Sequence, residues 1–301
     1  MKHLLRFGDQ VAHALETGGA IVALESTVIA HGLPRPRNLE AALAMEAAVR
    51  EEGATPATIG LVSGHIVVGL SRGEIELMAN SENVAKVSRR DFAPVLAEKK
   101  LGATTVAGTL AVAAAAGIRV MATGGIGGVH RGAEQTFDIS ADITELAHSP
   151  VAIVCSGAKV ILDLPRTLEV LETAGVPVVG YRTSEFPAFY SRTSGLPLEH
   201  RVDDPAAAVR IIKSQRELGF EQAVVFCNPP AKAMDEHEVS TLVEEALRSA
   251  AEQGISGKAV TPYLLDHLAR ASQGRTLETN VALLVDNARV AARIALALRG
   301  A

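Results

Sequence analysis

The chain has 301 residues, 48% apolar and 21% charged, with a formal net charge of −5. That composition can bury a sizeable core and excludes extended disorder. A net negative chain without a dominant basic stripe does not carry the footprint of a nucleic-acid polymer binder.

The opening MKHLLRFGDQVAHALETG carries charges and histidine through its apolar part. It reads as an amphipathic helix, regular from about Asp9 to Glu16, rather than a signal peptide. After Gly18-Gly19 the run AIVAL is a strand that ends at Glu25. The segment Leu33-Pro34-Arg35-Pro36-Arg37 cannot be helical, because each proline restricts the residue before it. Asn38 then caps a helix reaching about Arg50. ATIGLVSGHIVVGLS reads as two strands around Ser63-Gly64, and Arg72 to Met78 as a short helix. Lys86 to Asp91 is a polar loop or strand end whose Lys86, Arg89 and Arg90 suit a small anion such as a sugar phosphate. Thr105 to Ala116 is a helix of small residues ended by Gly117, suited to close central packing. This alanine-rich run is the longest apolar one, and it falls short of the roughly 20 residues a membrane span needs.

Val120 to Ala122 is a strand that runs into the stretch Gly124 to Asp163, around which the chain is organised. That stretch holds a glycine-rich turn, His130 and Arg131, the acids Asp138 and Asp142, and the apolar strand Val151 to Cys155. Ser156 and Gly157 break the strand and Lys159 follows in the turn. Pro165 opens a helix with Leu164, Leu168 and Leu171 at helical spacing, ended by Gly175. Val176 to Gly180 is a further strand. Thr183 to Pro197 is loop-like and holds much of the scarce aromatic content; it either closes over a site or is a plain surface loop. Helix, strand and helix follow at Pro205–Leu218, Ala223–Phe226 and Val239–Gln253, and Pro262–Ala271 and Leu277–Leu298 finish the chain as helices. Strands alternating with helices define an α/β class: a three-layer α/β/α architecture, a mostly parallel sheet with helices on both faces, in one domain over residues 1–301. Cys155 and Cys227 have no metal-ligand spacing, and two cysteines in this much chain point to a reducing, cytoplasmic setting.

The glycine turn fails the dinucleotide pattern G-x-G-x-x-G, since the last position counted from Gly125 is His130, and no Walker A pattern exists. A glycine turn after a strand still offers backbone N–H groups to a phosphate. Lys159 lies just past a buried strand, at the sheet edge where α/β proteins bind ligands. Burial would favour its neutral amine, the form that attacks a carbonyl to give a Schiff base, although most turn lysines are simply solvated. Asp138 and Asp142 are four apart and suit a hard cation such as Mg²⁺ or Mn²⁺; Asp142 could equally cap the helix that begins ITEL. Glu25 ends a strand on the same expected edge, as a general acid or an exposed carboxylate.

The segments ALESTVIAHGLPRP, KVSRRDF, GATTVAGT, TGGIGGVHRGAEQTFDISADI, CSGAK and Thr279-Asn280 resemble, in this order and across nearly the whole chain, the pseudouridine-5′-phosphate glycosidase family, which is related to the indigoidine-cluster A proteins. The resemblance implies reversible cleavage of the C–C bond between ribose C1′ and uracil C5 of pseudouridine 5′-phosphate, giving uracil and ribose 5-phosphate. It implies a lysine adduct with the ring-opened sugar that becomes an imine. Carried over position by position, Lys159 matches the nucleophile, Glu25 the proton donor and Asp138 the residue assigned to Mn²⁺, with other divalent cations as alternatives. Ser140, Ala141 and Asp142 match the substrate-contacting segment, with Asp142 also a candidate for the metal. Lys86, Val106 and Asn280 match further substrate-contacting positions. The resemblance also implies a homotrimer, while composition, cysteine use and the short apolar runs lead to the expectation of a cytoplasmic protein with no membrane or nucleic-acid polymer as partner. Beyond the resemblance, Arg131 and the Gly124–Gly128 turn are expected to help hold the phosphate. A lysine Schiff-base aldolase acting on a phosphosugar and a non-catalytic sugar-phosphate sensor are the competing readings.

Overall fold

The computed structural model describes residues 4–255 and 260–300. The first half of the chain runs β1 (Leu5–Phe7), α1 (Asp9–Glu16), β2 (Ile21–Leu24), α2 (Arg37–Glu51), β3 (Thr55–Val62), β4 (His65–Val68), α3 (Arg72–Asn80), β5 (Ala85–Val87), α4 (Phe92–Ala97), β6 (Gly102–Thr104), α5 (Val106–Ala116) and β7 (Val120–Ala122). The second half runs α6 (Ala133–Thr136), α7 (Ala141–Leu146), β8 (Ala152–Cys155), α8 (Leu164–Thr173), β9 (Val178–Tyr181), β10 (His200–Val202), α9 (Pro205–Glu217), β11 (Val224–Cys227), α10 (Glu236–Glu252), α11 (Val260–Ala271) and α12 (Arg275–Arg299). A π-helical turn at Val28–Gly32 and a 3₁₀ turn at Arg89–Asp91 complete the list.

The strands form one sheet in the order β1-β4-β3-β2-β7-β8-β11-β9-β10, with β6 added against β3 and β5 against β6. From β3 through β10 the ladder is parallel, while β4 and β6 run antiparallel to β3. The chain leaves β2 for β3 on one side and later returns to β7 on the other, so the strand order reverses beside β2. Such a switch point opens a crevice at the C-terminal strand ends. The core strands IVAL, AIVC and VVFC are buried at every position, as parallel strands covered on both faces must be. Register aligns Ala23 with Met121, Met121 with Ile153, and Ile153 with Val225 in one row across the sheet. Helices cover both faces; α12 packs across β2, β7 and β8 and against α2 and α9, and α5 packs with α7. Burying each Val or Leu of this core is worth about 1.5–3 kcal/mol. Among the described residues, no helix is long and apolar enough to cross a membrane.

Local departures from the expected elements have local causes. Leu5–Phe7 extends β4 as a parallel edge strand, so the helix starts only at Asp9; Met1 to His3 of the expected N-terminal helix lie outside the described residues. Asn38 does not cap α2. It lies inside the helix, where its Nδ2 donates to the carbonyls of Ile29 at 2.8 Å and Ala79 at 3.0 Å. The strands β6 and β10 are three residues each, too short to show alternation. The expected loop around Thr183–Pro197 is no plain surface segment: Phe186, Phe189 and Tyr190 are buried in the core.

Candidate active site

The sheet register brings the site together. Leu24 of β2 lies beside Ala122 of β7, so the next residues, Glu25 and Thr123, emerge side by side at the crevice. Glu25 is only 5% exposed. Its two carboxylate oxygens accept hydrogen bonds from the hydroxyls of Thr27 and Thr123, which fix its orientation. The expectation of an exposed strand-end carboxylate is thus replaced by a buried, hydrogen-bonded one.

At the end of β8 the chain turns at Gly157, whose φ of +78° suits glycine. A Cβ there would lie 2.1 Å from the Pro187 carbonyl oxygen, so the buried aromatic loop holds this turn from below. Lys159 follows, half-buried, with its N–H on the Ile126 carbonyl at 3.1 Å. The amine and the acid line one cavity of about 450 Å³. Lys86, Val106, Asp138, Ser140, Ala141, Asp142 and Asn280 line the same cavity, so the fold gathers every position carried over from the resemblance.

The glycine turn lines the cavity with Gly124, Gly125 and Gly127 and also packs closely against its neighbours. A Cβ on Gly127 would sit 2.2 Å from Ser140 Oγ, one on Gly128 2.4 Å from Thr167 Oγ1, and one on Gly125 2.6 Å from Phe189 Cδ2. Two of its N–H groups are engaged within the protein, Ile126 on the Gly157 carbonyl at 3.0 Å and Gly127 on Asp142 Oδ2 at 2.8 Å, as is that of Val129 just after it, on Thr167 Oγ1 at 3.0 Å. Arg131 is exposed and does not line the cavity, contrary to its expected place on the phosphate. Arg89 is also drawn away, into a two-point ion pair with the buried Glu145 at 2.7 and 2.6 Å. Of the basic cluster, Lys86 and Arg90 reach the cavity.

The two aspartates separate into different environments. Asp142 is 5% exposed and its oxygens accept the N–H groups of Ala107 at 2.9 Å and Gly127 at 2.8 Å. Ser140, not Asp142, caps α7, accepting the Asp142 N–H at 3.2 Å. Asp138 is half-buried beside His130. Burial pushes the His130 imidazole below its ordinary pKa; the Asp138 carboxylate opposes this, and the positive charges of Lys159 and Lys86 add to it. Those four groups therefore share one electrostatic neighbourhood. Among the described residues, no three His, Cys, Asp or Glu side chains converge as a metal-ligand set. The donor set fits a hard cation anchored by Asp138 and otherwise coordinated by water or substrate oxygens, not an all-protein cage.

Sequence reasoning missed Thr27 and Thr123, the hydroxyls on Glu25, and the cavity wall from Leu284, whereas Phe189 brings the Thr183–Pro197 loop to the cavity, one of its two expected roles. Thr123 is 98 residues from Glu25, a pairing that only the β2–β7 register reveals. The buried Cys155 and Cys227 face each other across β8 and β11, and both are free.

A family profile described as Indigoidine synthase A like protein matches residues 10–297. A protein of Caldanaerobacter subterraneus subsp. tengcongensis named pseudouridine-5′-phosphate glycosidase is 50% identical over 300 residues, covering 99% of this chain and 98% of its own. One of the same name from Paracoccus denitrificans is 53% identical over 302 residues, covering 99% of each. Among solved structures, a prealnumycin C-glycosynthase in complex with ribulose 5-phosphate superposes with a TM-score of 0.91 at 43% identity, over 99% of this chain and 97% of that one. An indigoidine synthase A-like protein from Thermotoga maritima gives 0.90 at 38% identity, over 98% and 97%. The chain belongs to the pseudouridine-5′-phosphate glycosidase family, within the Indigoidine synthase A like proteins.

Proposed function

We propose that this chain is an enzyme that reversibly hydrolyses the C–C glycosidic bond of pseudouridine 5′-phosphate to uracil and ribose 5-phosphate. The observation that carries the reading is the meeting of the Lys159 amine and the Glu25 carboxyl in one cavity. Near-full-length relatives at 50–53% identity that are named for this activity support it. So does the similar C-glycosynthase, whose structure is a complex with a pentulose phosphate.

A carbon leaving group has no exocyclic heteroatom to protonate, so the paired-carboxylate route of ordinary glycosidases does not apply. The Lys159 lone pair attacks C1′, and the ring oxygen departs with the bonding pair and takes up a proton, opening the sugar. The nitrogen loses its extra proton and becomes a neutral amine again. Glu25 delivers a proton to C5 of uracil. The nitrogen lone pair then forms C1′=N as the C1′–C5 pair returns to the pyrimidine as its C5=C6 double bond. Water adds to the imine carbon, the amine leaves, and the products are the sugar aldehyde and free Lys159.

The cations Lys86 and Arg90 are suited to the phosphate, and Val106, Ser140, Ala141, Asp142 and Asn280 to the remaining walls. Asp138 would anchor Mn²⁺ or another divalent cation, which would supply positive charge beside the anionic sugar. A homotrimer is the form that the resemblance implies and a cytoplasmic setting the one that the cysteine use suggests; light scattering and fractionation test them. Borohydride reduction in the presence of ribose 5-phosphate, followed by peptide mass mapping, tests the chemistry. A pentose-phosphate adduct on Lys159 is expected, and an adduct on a different lysine overturns the assignment. Release of uracil from pseudouridine 5′-phosphate separates this activity from an aldolase or a sensor.

A further inference from the structure

Asn287 takes no part in the chemistry above, yet it is fully buried behind the cavity on α12. Its Nδ2 donates to the Thr123 carbonyl at 2.8 Å, to Ser156 Oγ at 3.1 Å and, more loosely, to the Gly124 carbonyl at 3.4 Å. Its Oδ1 accepts from Asn228 Nδ2 at 3.0 Å and faces the Ser156 hydroxyl at 3.5 Å. Asn228 in turn donates its backbone N–H to the Cys155 carbonyl at 2.8 Å and its side chain to Asp286 at 2.8 Å. One side chain of α12 thus ties together the C-terminal ends of β7, β8 and β11.

Two of those ends carry the proposed chemistry. Thr123 holds the Glu25 carboxylate through its hydroxyl. Ser156 opens the turn that presents Lys159, and its own N–H is on the Gly124 carbonyl at 2.8 Å. A buried amide is a costly way to fill core space, since an apolar residue of similar shape needs no partners. What the amide adds is a fixed distance between two backbones.

Resting on the function proposed above, we infer that Asn287 is a positioning residue that sets the Lys159 amine against the Glu25 carboxyl without touching substrate. Reacting groups must be held within a few tenths of an ångström, and a displacement of about 1 Å costs on the order of 100-fold in rate. Asn280 shares α12 but lies about two turns away, and Lys86, Arg90, Val106, Ser140, Ala141 and Asp142 lie on other segments, so binding should survive the loss of Asn287.

The test compares wild type, Asn287→Ala and Thr58→Val, each checked for fold by circular dichroism and thermal melting. Thr58 is a buried polar residue on β3 that does not line the cavity, bonded to Glu46 at 2.6 Å, and serves as a control for lost buried hydrogen bonding. The measurements are the rate of borohydride-trapped ribose 5-phosphate adduct on Lys159, and kcat and KM for pseudouridine 5′-phosphate. Asn287→Ala is expected to slow trapping and lower kcat by about tenfold or more with KM within about twofold, whereas Thr58→Val keeps wild-type rates. If Asn287→Ala does not fold, Ser156→Ala, which cuts only the link to the Lys159 turn, is expected to show the same slowing. Trapping at the wild-type rate in the folded Asn287 or Ser156 variant overturns the inference, as does equal slowing in Thr58→Val. If wild type traps the pentose phosphate on Lys159 but releases no uracil, the proposed substrate falls while the trapping rates still decide the role of Asn287. If wild type traps nothing on Lys159, there is no amine to position and the inference falls with it.

Discussion

The Asp142 carboxylate accepts the Gly127 N–H at 2.8 Å with one oxygen and, with the other, the Ala107 N–H at 2.9 Å. It thereby fastens the glycine turn after β7 to the first turn of α5, two segments that form adjoining walls of the cavity. Asp142→Asn places an amide N–H₂ against one of these backbone donors, leaving a buried donor unmatched. The variant is expected to lose about 1–3 kcal/mol of stability in urea melts, with or without a chelator. An unchanged midpoint would show that the carboxylate is not the clamp described here.

Lys159 and Glu25 should separate kinetically. Lys159→Ala is expected to abolish cleavage while leaving the melting temperature close to wild type, because the side chain is half-buried and lines the cavity. Glu25→Gln is expected to form the trapped sugar adduct yet release no uracil, since a carboxamide cannot deliver the proton. Uracil release by Glu25→Gln at the wild-type rate would remove Glu25 from the mechanism.

The Gly157 turn is constrained twice. Its φ of +78° disfavours any other residue, and a Cβ would lie 2.1 Å from the Pro187 carbonyl oxygen. Gly157→Ala is expected to cost about 3 kcal/mol or more, or to prevent folding, because backbone rather than a flexible side chain must move. A melting temperature within about 2 °C of wild type would contradict this packing.

What was legible in the sequence was local. The apolar strands, the Gly157 break and the proline at the start of α8 all act within a few residues, so the edge carrying Lys159 could be placed directly. The gathering of the site positions rested on long, ordered motifs that resemble one family. The glycine turn left two readings open for a physical reason: glycine serves equally to expose N–H groups and to admit neighbouring atoms. Only the partners Ser140, Thr167 and Phe189, none of them adjacent in sequence, show the close approach. Charge clusters misled. Arg89 neighbours Lys86 in sequence, but its carboxylate partner Glu145 is 56 residues away, and nothing in local composition foretells that pair.

Asp138 and Asp142 are also expected to differ toward metal. Asp138→Asn should abolish Mn²⁺ binding measured by water-proton relaxation, because the other carboxylates lining the cavity are already engaged, Glu25 by the Thr27 and Thr123 hydroxyls and Asp142 by two backbone N–H groups. Asp142→Asn, in whatever fraction remains folded, should retain measurable binding. The reverse order would show that the backbone clamp gives way to the ion.

His31 supplies a pH signature. A carbonyl can only accept, so the 3.0 Å contact of Nε2 with the Val84 carbonyl places the ring proton on Nε2. Nδ1 is then a buried acceptor without a partner among the described residues. Burial lowers the His31 pKa below its ordinary 6.5; the Val84 bond opposes this, and the nearby Lys86 charge adds to it. The folded pKa therefore lies below the unfolded one. Above about pH 6.5 both states are neutral and the full stability is present. As pH falls below that value the unfolded chain takes up the proton first, and stability drops until the folded pKa is passed. Urea melts of wild type and His31→Gln between pH 7.5 and 5 should diverge, wild type losing more stability on the acid side. Parallel curves over that interval would mean that the imidazole titrates normally in the fold.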